Sequence, residues 1–367
     1  MAVNQGLSHL SDHFLMVTLI LYFLAVLAFA ADFAFGKRGA PEPAQAEVPE
    51  LVTAGAAGGA AAAKPGASTA SPGPGNAGTA NAGPGEAGPG NAGAVTGTLG
   101  GRAASTGRPG LRDASFWVRA GLALTVLGVL GHITGVVIRG LAVHRVPWGD
   151  MYEFVIAVTC VAVLFFLGLM IRYRPYRLGL FFMAPIVIII GLAQTVIYTP
   201  AGPLVPALNS YWLAIHVTAI TLATGTYVVA AVLAVVYLFA DRHARRVAAG
   251  LPVRNSEVFK LLPSPERLDQ FAYRTVVFAF PLWTFGIMAG AIWADEAWGR
   301  YWGWDPTETW AFITWVVYAC FLHARVTAGW RGRRAAYIQL VGFGCLLFNL
   351  LGVSLFITGL HSYAGLS

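Results

Sequence analysis

Apolar residues come in eight long runs, near 14–35, 115–139, 151–171, 178–198, 212–240, 272–293, 308–327 and 335–357, and short polar stretches part most of them. A helix needs roughly 20 apolar residues to cross the hydrocarbon core. Lipid offers no partner to an open backbone, so all eight runs are expected to be transmembrane α-helices. The pattern predicts an all-α integral membrane protein.

Residues 37–113 interrupt this rhythm. They are dominated by Ala, Gly, Pro, Asn, Ser and Thr, with no aromatic residue. Such a stretch cannot bury enough surface to offset chain entropy, so it is expected to be disordered and to act as a tether. The chain therefore divides into an N-terminal helix (1–36), the linker (37–113) and a seven-helix part (114–367) with an aromatic loop at 298–315.

Composition agrees: 57% of the residues are hydrophobic and 11% are charged. The net charge of +7 raises the question of a polyanionic partner. Its distribution answers it. Lys37, Arg38, Lys64, Arg102, Arg108 and Arg112 fall in the linker, and Arg172, Arg174 and Arg177 between helices three and four. Arg242, Arg245, Arg246, Arg254, Lys260, Arg267 and Arg274 follow helix five; Arg325, Arg331, Arg333 and Arg334 surround the turn after helix seven. Alternate loops hold only Arg139, Arg145 and Arg300. This is the positive-inside pattern, which places the linker in the cytoplasm and both termini outside. No nucleic-acid site is indicated.

Ala28-Phe29-Ala30 has the form of a signal cleavage site, but residues 1–13 lack Lys and Arg while Lys37 and Arg38 follow the run. A retained helix is the expectation. Cys160, Cys320 and Cys345 all lie in apolar runs without a CxxC pair, so each is expected to be a buried packing residue. Without CxxCH, the chain is not itself a c-type cytochrome.

The segment Trp298-Gly-Arg-Tyr-Trp302-Gly-Trp304-Asp305-Pro306-Thr-Glu308-Thr-Trp310 holds four tryptophans in thirteen residues, with Trp283, Trp293 and Trp315 nearby. At a membrane edge such a cluster makes either a headgroup anchor or a wall for a flat apolar ligand. Asp305 reads as an N-cap, Pro306 as N1, and Glu308 as an N3 residue that folds back. Gly299 and Gly303 permit tight turning or close approach of a ligand. The charge topology puts His216 about one turn below the outer surface and His361 at that surface. Both share a face with the aromatic loop, and this convergence favours the ligand wall.

Two imidazoles and aromatic faces suit haem. A zinc site would want more ligands at short spacing. A respiratory cytochrome b would carry paired histidines on two helices, whereas His132 and His323 each stand alone. His132 reads as a hydrogen-bonded packing residue and His144 as a solvated loop residue, while His9, His13 and His243 lack supporting context.

The run Trp298-Gly299…Trp302-Gly303-Trp304-Asp305-Pro306…Glu308…Trp310 resembles the "WWD" signature of haem-handling membrane proteins. Over roughly 115–367 the chain resembles the CcsA/ResC-type component (CcsB in actinobacteria) of system II cytochrome c biogenesis. Pro147-Trp148-Gly149-Asp150-Met151-Tyr152-Glu153 is similar to a second family segment, in which Asn is expected where Asp150 stands. The resemblance implies that His216 and His361 ligate haem b at the outer surface, against Trp298, Trp302, Trp304, Asp305 and Trp310. It implies that His323, roughly 22 Å down helix seven, ligates a second haem within the membrane. It further implies a bacterial cytoplasmic-membrane protein acting with a ResB-like subunit on an apocytochrome c bearing CxxCH, as part of a holocytochrome c synthase. No general base is indicated. A system I-type haem chaperone, a b-type electron-transfer cytochrome and a transporter are the alternatives.

Overall fold

The structure, a computed structural model, describes residues 3–36, 111, 114–203, 208–253, 256–327 and 329–361. The linker 37–113, apart from Leu111, lies outside them. Among the described residues the regular structure is wholly helical: α1 Gln5–Phe35, α2 Phe116–Val143, α3 Met151–Tyr173, α4 Gly179–Thr195, α5 Tyr211–Ala248, the short α6 Ser256–Lys260, α7 Pro265–Trp298, α8 Pro306–Thr327, α9 Arg333–Leu347 and the single turn α10 Ser354–Phe356. A π-helical stretch, Phe348–Val353, joins α9 to α10. Among the described residues eight helical segments are long and apolar enough to cross a membrane, the eighth being α9 with its π-helical extension.

The spans match the expected runs, but several are longer. α5 continues to Ala248, and α7 runs from Pro265 to Trp298. Their ends carry polar residues that an apolar run omits, and local chemistry fixes the boundaries. Ser264 caps α7 by accepting from Arg267 N at 3.4 Å, with Pro265 next in the chain. At the far end Gly299 takes a left-handed conformation (φ 69°), which glycine adopts without a Cβ penalty.

α1 packs along α2, head to tail. Asn4 N donates to Ala142 O at 2.9 Å at one end, and Ser115 Oγ donates to Asp32 at the other. Between them Ser11 donates to Gly135 O and Tyr22 contacts His132. α5 and α7 form a second antiparallel pair. Ala223, Ala230, Ala279 and Ala289 are buried, and such small side chains let two helix backbones approach closely where lipid supplies no hydrophobic drive. Tyr227 and Tyr318 stack at 4.0 Å, which ties α8 to α5, and Trp283 Nε1 donates to Ala311 O at 3.2 Å across α7 and α8.

The basic turns lie at one end of the bundle, where Arg177 pairs with Asp32, Arg325 with Asp269 and Arg333 with Asp241. The aromatic loop lies at the opposite end. Cys160 is buried as expected, but Cys320 is exposed and Cys345 half-buried. The expectation for Cys320 is corrected: on a membrane helix an apolar run does not separate lipid-facing positions from packed ones.

Candidate functional site

A cavity of about 230 Å³ opens among α3, α5, α7, α8 and the π-helical stretch. Its lining begins with the segment Trp148-Gly149-Asp150-Met151 and includes His216, Trp283, Trp293, Trp298, Trp302, Glu308, Asn349 and His361. The two histidines are 145 positions apart in sequence (361 − 216), yet they line one space.

His216 sits near the start of α5. The Gly286 carbonyl of α7 accepts from its Nδ1 at 2.7 Å. That bond places the proton on Nδ1 and, with no described residue bonded to Nε2, leaves that nitrogen open as a ligand atom. Gly290 makes room for the ring, since a Cβ there would lie 2.6 Å from His216 Nδ1. Trp293, one helical turn further on, lies parallel to the imidazole at 6.2 Å and 10°.

His361 arrives from the other end of the chain. Its Nδ1 donates to Asp305 Oδ2 at 2.8 Å, and the neighbouring Leu360 N–H donates to Asp305 Oδ1 at 2.7 Å. A carboxylate on the far nitrogen of an imidazole fixes ring orientation and raises its basicity as a ligand. Trp298 stands edge-on to the ring at 5.0 Å and Trp293 at 5.9 Å. Trp293 therefore contacts both histidines.

The loop is shaped by its acidic pair. Asp305 Oδ2 accepts from Thr307 N at 3.2 Å, and Glu308 Oε2 accepts from Asp305 N at 3.1 Å and Gly303 N at 2.8 Å. Glu308 folds back onto the Asp305 amide as in a capping box, while Asp305 caps the N2 amide of Thr307 rather than the N3 amide. Asp305 thus serves twice, as the cap of α8 and as the partner of His361. Burial pushes its carboxyl up, but the bonds from His361 and Leu360 outweigh burial and hold it below its ordinary value. Trp304 has φ 58° and is 66% exposed, so its ring points away from the cavity and meets Trp302 edge-on. Trp310 packs against Phe348 at 4.3 Å, supporting the π-helical stretch from outside the lining.

Asp150 caps α3 by accepting from Glu153 N at 2.8 Å, a role that Asn fills equally well. Burial and the nearby Glu153 charge push its carboxyl up to about 6. His323 lies far along α8, exposed and away from this cavity. His132 is buried beside Tyr22, and His144 forms the left-handed C-cap of α2. His243, without context in sequence, stacks on Phe259 at 4.3 Å.

Sequence reasoning did not assign Trp283, Trp293, Trp148 or Asn349 to the site. A signal existed for α7: Trp283, Ile287, Gly290, Ala291, Ala294 and Trp298 recur at helical spacing and all line the cavity. Asn349 is 5% exposed and its Oδ1 has no partner among the described residues.

Fold and site together define a multi-pass membrane protein with an aromatic cavity that presents two oriented imidazoles at one end. The model of the cytochrome c assembly protein family matches residues 148–361. The chain belongs to that family. Among curated relatives, the cytochrome c biogenesis protein CcsA of Guillardia theta is 40% identical over 243 residues, covering 60% of this chain and 77% of that protein. CcsA of Mesostigma viride is 35% identical over 248 residues, covering 62% and 80%. That of Synechococcus elongatus is 41% identical over 198 residues, covering 44% and 61%. Among solved structures, cytochrome c haem lyase CcmF aligns with TM-score 0.49 and 18% identity, over 65% of this chain and 42% of that one.

Proposed function

We propose that this chain holds haem b as a substrate in the aromatic cavity and presents it for covalent attachment to apocytochrome c. The observation that carries this reading is the pair His216 and His361, each with Nδ1 held by the protein while both rings line one cavity. The donor set fits the group: two imidazole nitrogens for the iron, and indole faces for a flat apolar ring.

In this reading His216 and His361 would ligate the iron, and Trp293, Trp298 and Trp302 would pack against the ring. Haem supplies two vinyl groups. Each CxxCH thiol adds across one of them, with sulfur bonding to one carbon and the thiol proton ending on the other, so no net oxidation occurs. The chain contributes orientation and ligand exchange, which together account for much of an acceleration of this kind. The cavity faces the extracytoplasmic side of a bacterial cytoplasmic membrane, as the distribution of Lys and Arg supports. His323 would serve a second haem within the bilayer, with a ResB-like subunit supplying the other ligand.

Replacing His216 or His361 by Ala is expected to abolish mature c-type cytochrome while the protein still accumulates in the membrane. Pyridine haemochrome analysis of the purified chain should report b-type haem, lost or altered in both variants. Normal cytochrome c maturation in both variants would falsify the reading.

A further inference from the structure

The two histidines are held in different ways. His216 is part of a 38-residue helix, and its ring is wedged between α5 and α7, with Gly286 O on one side and Gly290 beneath it. Its orientation is set by the packing of two long helices. His361 is carried by an irregular segment. α9 widens into the π-helical stretch Phe348–Val353, makes one further turn, and turns extended at Ile357 (φ −128°, ψ 120°). π-Helical turns are rare and occur frequently at functional sites.

Beyond Ile357 three consecutive residues of this arm meet Asp305. Leu360 N–H and His361 Nδ1 donate to the two oxygens of Asp305, and a Cβ on Gly359 would lie 2.7 Å from Asp305 Oδ1. The His361 side chain is 25% exposed. Asp305 itself is fixed, because it is tied into the first turn of α8 through Thr307 N and Glu308. A carboxylate fixed in the first turn of α8 therefore holds the arm at Leu360 and His361.

We propose that His361 is the exchangeable ligand and Asp305 the latch that sets its release, while His216 stays bound throughout. The proposal rests on the haem-site reading given above. The incoming CxxCH histidine takes the place of His361: one iron–nitrogen bond breaks, another forms, and no electron changes hands. Asp305 is a positioning residue. The order of exchange also decides geometry, since the apocytochrome then approaches from the face of the arm.

The test uses the purified full chain loaded with haem, with its partner subunit where loading requires it. His216→Gly and His361→Gly are each loaded in the presence of free imidazole, which fills the vacated position. The probe is an SxxSH peptide, unable to form thioethers, with an SxxSA peptide as control. The expected result is that SxxSH displaces imidazole from His361→Gly but not from His216→Gly, read from visible spectra and from release of labelled imidazole. In the otherwise intact chain, Asp305→Asn keeps the cap and is expected to speed peptide-driven replacement about tenfold, a typical effect of removing an outer-shell partner. Asp305→Glu, which restores the charge, should recover part of the slow exchange.

Equal displacement from both glycine variants, or displacement from His216→Gly alone, overturns the latch and leaves the bis-imidazole site standing. An unchanged exchange rate in Asp305→Asn overturns the role of Asp305. A spectrum without imidazole ligation in the unsubstituted chain, unaltered by either histidine change, overturns the haem site itself and the latch with it.

Discussion

Two polar clusters lie side by side at the cavity end of the bundle, and the chain treats them differently. One joins α2 and α3. Glu153, fully buried, accepts from Arg139 Nε at 3.0 Å, Arg145 Nη1 at 2.7 Å and Gly149 N at 2.8 Å. Arg139 continues to Asp12 of α1 and to the Thr199 carbonyl, and Arg145 to the Gly202 carbonyl. The other is the cavity. There each histidine is bonded through one nitrogen, and Asn349 Oδ1 is buried without a described partner. In the first network charge meets charge, with Glu153 bonded to both guanidinium groups and only Arg145 Nε left without a described partner, whereas the second cluster holds neutral rings and an amide that do not bond to one another. A buried polar group without a partner carries a cost, and in the proposed function haem would cover the Asn349 side of the cavity. The segment Trp148-Gly149-Asp150 borders both clusters, so the first shapes a wall of the second.

The comparison breaks first at Glu153. Glu153→Gln leaves two guanidinium groups without their central countercharge, and removing one partner of a buried ion pair costs about 3–5 kcal/mol. Thermal unfolding in detergent should show a large fall in stability, with low accumulation in the membrane. Asn349→Leu is the matched change in the cavity. It removes an unpartnered group, so stability is expected to hold within about 1 kcal/mol, while bound haem decreases. Equal melting temperatures for Glu153→Gln and the unsubstituted chain would dissolve the distinction between the two clusters.

A smaller effect is expected at Asp150, which lines the cavity and stands beside Glu153. Its carboxyl is pushed up to about 6 in the fold, from an ordinary value of 3.8. Between those values the folded chain holds a proton that the unfolded chain has lost. The stability from this group is therefore full below the lower value and declines as pH rises through about 6. Asp150→Asn keeps the α3 cap and removes the decline. The variant should be more stable at pH 7 by roughly 1–2 kcal/mol after allowance for solvent screening, and the gain should vanish near pH 4. A gain that grows toward acid pH has the wrong sign for this account.

Much of this arrangement could be read from the chain before any coordinates. Length and hydropathy set the eight spans, because a bilayer imposes one period on every crossing segment. Lys and Arg spacing placed His216, His361 and the tryptophans at one end. The capping box was legible because its partners lie within four residues. What escaped has a common cause. The bond from His361 to Asp305 spans 56 positions, and capping already accounted for the aspartate. The π-helical stretch follows from no proline or charge in Phe348–Val353, only from how that segment packs. Cys320 shows that an apolar run says little about which face of a span meets lipid, and Trp304 that a cluster of indoles in a loop does not tell which way each ring points.

The tryptophans offer the finest division. Trp302 lines the cavity, while Trp304 turns outward at φ 58°. A left-handed backbone at a residue with a Cβ costs roughly 1–2 kcal/mol, which glycine avoids. Against that, Trp304→Gly forfeits an edge-on ring contact with Trp302, worth about 0.5–1.5 kcal/mol. The two terms nearly cancel, so the melting temperature of Trp304→Gly should barely move and its haem content should stay unchanged. Trp302→Gly has no such compensation and removes part of the cavity wall, so its haem content should fall. Parallel haemochrome assays on the two variants decide whether the density of indoles or the direction of each ring makes the site. Equal losses would favour density, whereas a loss confined to Trp302→Gly would place the recognising surface on the inner rings alone.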